Sequence, residues 1–274
     1  MPFITGRTFI KTETFPHMWC QGCGNGAVLS ALVRTFEELN YTNEDTVVVT
    51  GIGCWGKADD YLTTNALHVT HGRALAFATG IKAVKPQLHV IVLMGDGDGA
   101  TIGGNHFIHS ARRNIDLTAI IVNNLNYGMT GGQFSSTTPA EAITSTTAYG
   151  NPERPFDLCS LAEAAGANYV ARTTIYHGRL LRSSIKEALT KKGFSLVEVI
   201  SPCPTQYGRR NKIKPAVAML RDLKNKAITI DKYEKLGDEQ KEKYILIGNM
   251  VNKDFLDFNT RYDDVISKAS QRNL

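Results

Sequence analysis

Residues 94–133 read MGDGDGATIGGNHFIHSARRNIDLTAIIVNNLNYGMTGGQ, and the two ends of this stretch decide the fold. The apolar run entering it, His89-Val-Ile-Val-Leu-Met94, has the length and β-branched content of a buried strand. Three glycines then alternate with two carboxylates, Gly95-Asp96-Gly97-Asp98-Gly99. A helix-like segment follows, and a second β-rich run, Leu117 to Val122, ends at Asn123-Asn124. An acid thus stands at one strand's carboxyl end and an amide at the next one's. In an open α/β sheet that edge is where ligands bind. Asp96, the Asn124 side-chain carbonyl and a nearby backbone carbonyl form an oxygen set suited to Mg²⁺ holding a diphosphate. The glycines let backbone N–H groups approach phosphate oxygens. The plain alternative is an ordinary glycine turn and an asparagine cap at a strand end.

Outward from this stretch, strand and helix alternate. Thr46-Val-Val-Val-Thr50 is a β-branched strand that stops at the tight turn Gly51-Ile52-Gly53-Cys54. Upstream, Trp19-Cys20-Gln21-Gly22-Cys23-Gly24-Asn25-Gly26 is a glycine-rich turn running into 27–39, apolar at helical spacing. Thr70-His71-Gly72-Arg73 opens a small-residue helix over 74–84, stopped by Pro86. Downstream, 157–165 reads as a short helix, 168–170 as a strand and 179–191 as an amphipathic helix. A last buried strand over 194–200 leads into Ser201-Pro202-Cys203-Pro204. This order predicts an α/β domain, a mostly parallel sheet with helices on both faces. Residues 1–16 carry no clear pattern and read as an extended N-terminal arm, and 17–212 as the domain. Residues 213–274 turn charged and irregular, a C-terminal extension expected to lie on a partner or the domain surface. No internal repeat or interdomain linker is visible.

At 274 residues, with 42% hydrophobic and 21% charged residues, the chain suits a soluble globular domain. A formal charge of +5, without basic residues interleaved with aromatics, argues against nucleic acid as a partner. There is neither an apolar run of about 18 residues nor a signal-peptide pattern, so a cytoplasmic protein without membrane contact is expected. Five cysteines, an odd number, point to metal or redox chemistry before disulfides. Cys20 and Cys23 share one turn, and Cys54 and Cys203 each follow a strand. Four thiolates suit either zinc or a 4Fe–4S cluster, and spacing alone does not separate the two. Cys159, at helical spacing near Leu158 and Leu161, reads as a core residue.

Gly-Asp-Gly followed after this interval by Asn-Asn resembles the signature of thiamine-diphosphate enzymes. With Tyr127-Gly-Met-Thr-Gly-Gly-Gln133 and Cys20-x-x-Cys23 beside it, the chain over 15–212 resembles the β subunit of 2-oxoacid:ferredoxin oxidoreductases. The resemblance implies Asp96 and Asn124 as Mg²⁺ ligands, with Asn126 giving a backbone oxygen. It implies diphosphate contacts at Gly97, Asp98, Gly128 and Met129, and cofactor contacts at Ile52, Gly53, Cys54, Trp55 and His71. It further implies that Cys20, Cys23, Cys54 and Cys203 hold a 4Fe–4S cluster. Such an enzyme needs an electron acceptor, and zinc has no redox chemistry. On residue type alone, His71 is more often a helix cap or a satisfied core histidine, and its cofactor role rests on the resemblance. The glutamate that hydrogen-bonds the cofactor's aminopyrimidine has no counterpart here, so catalytic residues in this chain stay unassigned. That glutamate is expected on a partner α subunit, separate or fused to a γ module, in a dimer of heterodimers.

The reaction so implied is oxidative decarboxylation of a 2-oxoacid to its acyl-CoA, with coenzyme A as co-substrate and ferredoxin as acceptor. GGNHFIHSARRNID and CPTQYGRRNK resemble the 2-oxoglutarate enzymes, with pyruvate and branched-chain 2-oxoacids as alternatives. The chain also departs from the pattern. Gly131 stands where many relatives have lysine, which removes one anchor for a substrate carboxylate, and Ser136 where they often have proline. Gln21 and Asn25 depart from the commoner cysteine turn but leave both cysteines intact. His106, His109, Arg112 and Arg113 form a polar stripe, either a solvated helix face or a cationic lining for substrate or coenzyme A. Arg209-Arg210 after Cys203 is open to the same two readings or to that of a partner contact. A non-catalytic iron–sulfur electron-transfer subunit would use the cysteines but leave Asp96 and Asn124 unexplained. A non-oxidative thiamine-diphosphate decarboxylase or synthase would leave the four thiolates unexplained.

Overall fold

The structure, a computed structural model, describes residues 5–213 and 215–272. The first half comprises α1 (Asn25–Glu38), β1 (Thr46–Thr50), β2 (Asn65–His68), α2 (Ala74–Val84), β3 (His89–Gly95), α3 (Gly104–Arg112) and β4 (Thr118–Asn123). After a long loop come α4 (Leu158–Ala165), β5 (Tyr169–Thr174), α5 (Gly178–Thr190) and β6 (Ser195–Ile200). The chain closes with α6 (Ala216–Lys226), β7 (Ala227–Thr229), α7 (Ile230–Tyr233), α8 (Asp238–Lys241), β8 (Ile245–Asn252) and α9 (Phe258–Arg272).

Eight strands form one sheet in the order β2-β1-β3-β4-β6-β5-β8-β7. Neighbours are parallel throughout, apart from the antiparallel pair β5 and β8. Strands buried on both faces read as near-continuous apolar runs, and residues 90–94 of β3 and 119–122 of β4 are such runs. Ile91, Leu93, Ile120 and Val122 pack with Val28, Leu32 and Phe36 of α1 and with Leu181 and Ile185 of α5. Val92, Met94, Ala119 and Ile121 pack on the other face with Leu75, Phe107 and Leu158, from α2, α3 and α4. Phe36 is fully buried, edge-on to Phe9 and stacked with Tyr41. Truncation to Phe36→Ala is expected to destabilise the fold by about 3–5 kcal/mol, read as a lowered urea midpoint with an unchanged slope.

β1, β3, β4 and β6 are consecutive and parallel, so their carboxyl ends lie side by side. They deliver Gly51–Trp55, Asp96, Asn124 and Ser201–Cys203 to one edge.

The fold departs from the sequence expectation at its margins. Residues 5–16 of the expected arm are not extended: two single turns, Arg7–Phe9 and Thr12–Thr14, lie against the domain. Phe9 is buried on Phe36, and Lys11 N–H donates to the Tyr61 carbonyl at 2.9 Å. Residues 1–4 of that arm lie outside the described residues. β2 carries no apolar alternation because it is a short exposed edge strand. β5 runs to Thr174, past the expected 168–170. The stretch read as irregular contains β8, which extends the sheet next to β5; Gly248, at φ 135°, and a register shift in β5 disguise its period.

Among the described residues, no helix is long and apolar enough to cross a membrane.

Candidate cofactor and cluster site

Asp96 follows β3 directly and is 1% exposed. Its Oδ2 accepts hydrogen bonds from Ser135 Oγ at 2.5 Å and Thr137 Oγ1 at 2.8 Å. Its Oδ1 accepts only the Asn124 N–H, at 3.2 Å. The hydroxyls thus occupy one oxygen and leave the other with spare lone pairs. Burial pushes the Asp96 carboxyl up from the usual range, against the hydroxyl and amide hydrogen bonds that favour its ionised form. A divalent cation beside it would supply the missing counter-charge. Asn124 stands alongside, and Asn126 Nδ2 donates to the Asn124 carbonyl at 2.7 Å. One carboxylate, one amide oxygen and a backbone carbonyl fit Mg²⁺, which prefers few protein ligands plus water and phosphate oxygens.

Around these residues a cleft is lined by Ile52, Cys54, His71, Gly97, Tyr127 and Met129, among others. Gly97 is required there, since a Cβ would sit 2.4 Å from the Tyr127 ring. Asp98, 2% exposed, lines the same cleft. Its Oδ1 accepts from Gly72 N–H at 2.7 Å, from Ile52 N–H at 3.3 Å and from His71 Nδ1 at 2.5 Å. Burial raises the Asp98 carboxyl, opposed by these hydrogen bonds. Asp98 therefore ties together the turns after β1 and before α2. An ionised carboxylate accepts only, so Nδ1 carries the proton and Nε2 of His71 is left for the cleft. Trp55 is buried, its Nε1 donating to the Ile120 carbonyl at 3.2 Å beneath the floor. The cleft holds about 40 Å³, well below the ~300–1,000 Å³ of a complete small-molecule pocket.

Cys20, Cys23, Cys54 and Cys203 line a single adjoining cavity of about 280 Å³. The Cys20–Cys23 turn is closed by Cys23 N–H donating to the Cys20 carbonyl. It is fastened to the Cys203 loop by Gly24 N–H donating to Ser201 Oγ at 3.1 Å, while Trp19 Nε1 donates to the Cys54 carbonyl at 2.6 Å. Burial, then the neighbouring thiols, pushes Cys54 up to about 11, and Cys23 rises for the same first reason. Among the described residues, no three His, Cys, Asp or Glu side chains converge tightly enough to hold a single ion. Gly128 joins the two sites: a Cβ there would lie 3.7 Å from Asn124 Nδ2, 3.5 Å from Cys203 Sγ and 3.7 Å from Cys54 Sγ.

Cys159 is buried away from this cavity, its Sγ 3.4 Å from Glu198 Oε2. Arg112 and Arg113 stand at the far end of α3 with Arg261, around a separate cavity, so they give the cleft no cationic lining. Sequence reasoning missed Ser135, Thr137 and Thr138 in the loop after β4, of which the first two rest on Asp96 and the third on the Leu125 carbonyl. A run of hydroxyl residues shortly after Asn123-Asn124 was the available signal. Arg210, singled out in the sequence with Arg209, donates from Nη2 to the Gly131 carbonyl at 3.1 Å.

The model of the thiamine pyrophosphate enzyme, C-terminal TPP binding domain, matches residues 46–199. The chain is 46% identical over 260 residues to 2-oxoglutarate synthase subunit KorB of Methanocaldococcus jannaschii, covering 95% of this chain and 96% of that one. It is 55% identical over 208 residues to the KorB subunit of Archaeoglobus fulgidus, covering 76% of each. It superposes on 2-oxoglutarate:ferredoxin oxidoreductase from Magnetococcus marinus, solved with 2-oxoglutarate, coenzyme A and succinyl-CoA bound, with a TM-score of 0.87 and 27% identity. That match covers 98% of this chain and 92% of the other. A thiamine pyrophosphate domain spanning β1 to β6, with such identity along nearly the whole chain, places this protein in the 2-oxoglutarate synthase KorB family of 2-oxoacid:ferredoxin oxidoreductase β subunits.

Proposed function

We propose that this chain is the β subunit of a CoA-acylating 2-oxoglutarate:ferredoxin oxidoreductase, forming succinyl-CoA from 2-oxoglutarate. The observation that carries the reading is the junction at Gly128, where the oxygen set of Asp96 and Asn124 meets two of four clustered cysteines. Thiamine diphosphate, when bound, stabilises the electron pair left by departing CO₂. Around it, Asp96, Asn124 and the Asn126 carbonyl would hold Mg²⁺, and the N–H groups near Gly97 and Gly128 would meet the diphosphate. Ile52, Gly53, Cys54, Trp55 and Met129 shape the cleft wall, and His71 offers Nε2 to it with Nδ1 anchored by Asp98. Cys20, Cys23, Cys54 and Cys203 would hold a 4Fe–4S cluster beside that cleft, which suits electron transfer to ferredoxin.

A 2-oxoglutarate substrate brings a second carboxylate, and the cation that meets it would come from the partner subunit or from an arginine of this chain. Neither cavity is lined by a glutamate, which supports an α subunit supplying the activating group. Residues 17–212 act as the cofactor domain. The exposed stripe Tyr262, Val265 and Ile266 on α9, with Phe255 and Leu256, supports residues 213–274 as the partner contact in a dimer of heterodimers. A cytoplasmic setting belongs to the same reading.

The direct test is a screen of 2-oxoacids with coenzyme A and a viologen dye, using enzyme purified anaerobically with its partner. 2-Oxoglutarate should give the highest kcat/KM; a pyruvate preference would refute the substrate assignment. For the cluster, Cys203→Ser should lose iron and the visible charge-transfer absorption, whereas Cys159→Ser should keep both. Stoichiometric zinc without iron in anaerobic protein would overturn the cluster.

A further inference from the structure

We propose that Glu198, buried in the sheet behind the cleft, positions both sets of proposed metal ligands through Asn123. The inference rests on the reading that Asp96 and Asn124 hold the cation. Glu198 on β6 is 2% exposed and lies opposite Arg172 of β5 and Ile121 of β4. Asn123, two residues beyond Ile121, therefore shares its face of the sheet. Glu198 Oε2 accepts from Arg172 Nε at 2.6 Å, and Oε1 accepts from Asn123 Nδ2 at 2.8 Å. Arg172 is held in turn by Asp157 Oδ1, which accepts from Nη2 at 2.8 Å. The surrounding face is apolar, with Ile121, Leu158, Val170 and Leu196. A buried ion pair in such a place is commonly no more stabilising than well-packed apolar residues. Its distinguishing contribution here is directional.

An ionised carboxylate only accepts and a backbone amide only donates. Asn123 stands between one of each, so its amide has a single workable orientation. Nδ2 faces Glu198, and Oδ1 accepts Leu125 N–H at 3.1 Å and faces Thr137 Oγ1 at 3.0 Å. Both contacts reach the metal ligands. Leu125 sits between Asn124 and Asn126 at φ 66°, a left-handed conformation unfavourable to leucine. It is pinned by Asn123 on its N–H and by Thr138 Oγ1 donating to its carbonyl at 2.7 Å. Thr137 carries one hydroxyl proton between Asn123 Oδ1 and Asp96 Oδ2. One carboxylate thus sets the turn bearing Asn124 and Asn126 and the hydroxyl resting on Asp96.

Glu198→Gln keeps the shape but adds a donor. Turned toward Asn123, its amide N–H meets another donor; turned away, it meets Arg172. The mismatch either persists or passes through a flipped Asn123 to Leu125. Combining Glu198→Gln with Asn123→Asp restores complementarity at every link without changing net charge. The experiment is calorimetric titration of Mg²⁺ into the metal-free assembled enzyme at saturating thiamine diphosphate. Glu198→Gln should weaken Mg²⁺ by ~10–100-fold, as losing a group behind a metal ligand commonly does, with a smaller change in turnover at saturating Mg²⁺. The double variant should recover most of that affinity. If Glu198→Gln does not assemble, Asn123→Ser breaks the same link and should weaken Mg²⁺ likewise. A Mg²⁺ constant unmoved by these changes, in enzyme where Asp96→Ala abolishes binding, overturns the proposal, as does a double variant no tighter than the single. Mg²⁺ binding that survives Asp96→Ala overturns the underlying assignment instead.

Discussion

Asp96→Ala is expected to abolish Mg²⁺-dependent binding of thiamine diphosphate by the assembled enzyme. Asp96 is the only carboxylate in the proposed oxygen set; Asp98 holds Gly72, Ile52 and His71 through Oδ1, while its Oδ2 is buried without a hydrogen-bond partner. Removing it leaves an amide and a carbonyl, neither charged, to hold a divalent ion against full hydration. The loss should exceed the ~10–100-fold typical of groups one step behind a metal ligand. It should also strand the Ser135 and Thr137 hydroxyls, which now rest on Oδ2. Asn124→Ala should weaken binding strongly but incompletely, because the charge remains. If affinity survives both substitutions, the stretch is an ordinary turn.

The second large effect is expected from the chain alone. Purified without its partner, it should show no oxidative decarboxylation of any 2-oxoacid, even with its cluster intact. The cleft over Asp96 encloses about 40 Å³ and no glutamate lines it. A whole cofactor needs a second wall and an activating acid, and neither lies in the cleft as this chain forms it. Adding the α subunit should restore tight thiamine diphosphate binding and CoA-dependent reduction of ferredoxin together. Turnover by the carefully purified single chain would falsify the half-site account.

The centre of the molecule was legible in the sequence for a physical reason. Residues 90–94 and 119–122 are buried on both faces, so they are apolar without interruption, and glycine and asparagine follow them. The cysteines were legible because each follows a turn or strand end that shares one edge of a parallel sheet. What was not legible depended on partners remote in the chain. The exposed strand Asn65–His68 shows no apolar period, and β8 hides its own behind Gly248 and a charged run. Asp98, which the family resemblance gives as a diphosphate contact, also holds Gly72 and His71 across a fold of the chain, and no motif announces that second role. Thr137 and Glu198 carry no motif. Their roles follow only when β4, β6 and the loop after Asn126 are seen together.

The account's central claim is that Asp96 and Asn124 hold the cation that grips the cofactor's diphosphate. Mn²⁺ in place of Mg²⁺ tests it most directly, by electron–nuclear double resonance on the assembled enzyme with thiamine diphosphate. The predicted result is one Mn²⁺ per chain with phosphorus couplings from the diphosphate, lost in Asp96→Ala. An unchanged spectrum in that variant would contradict the account.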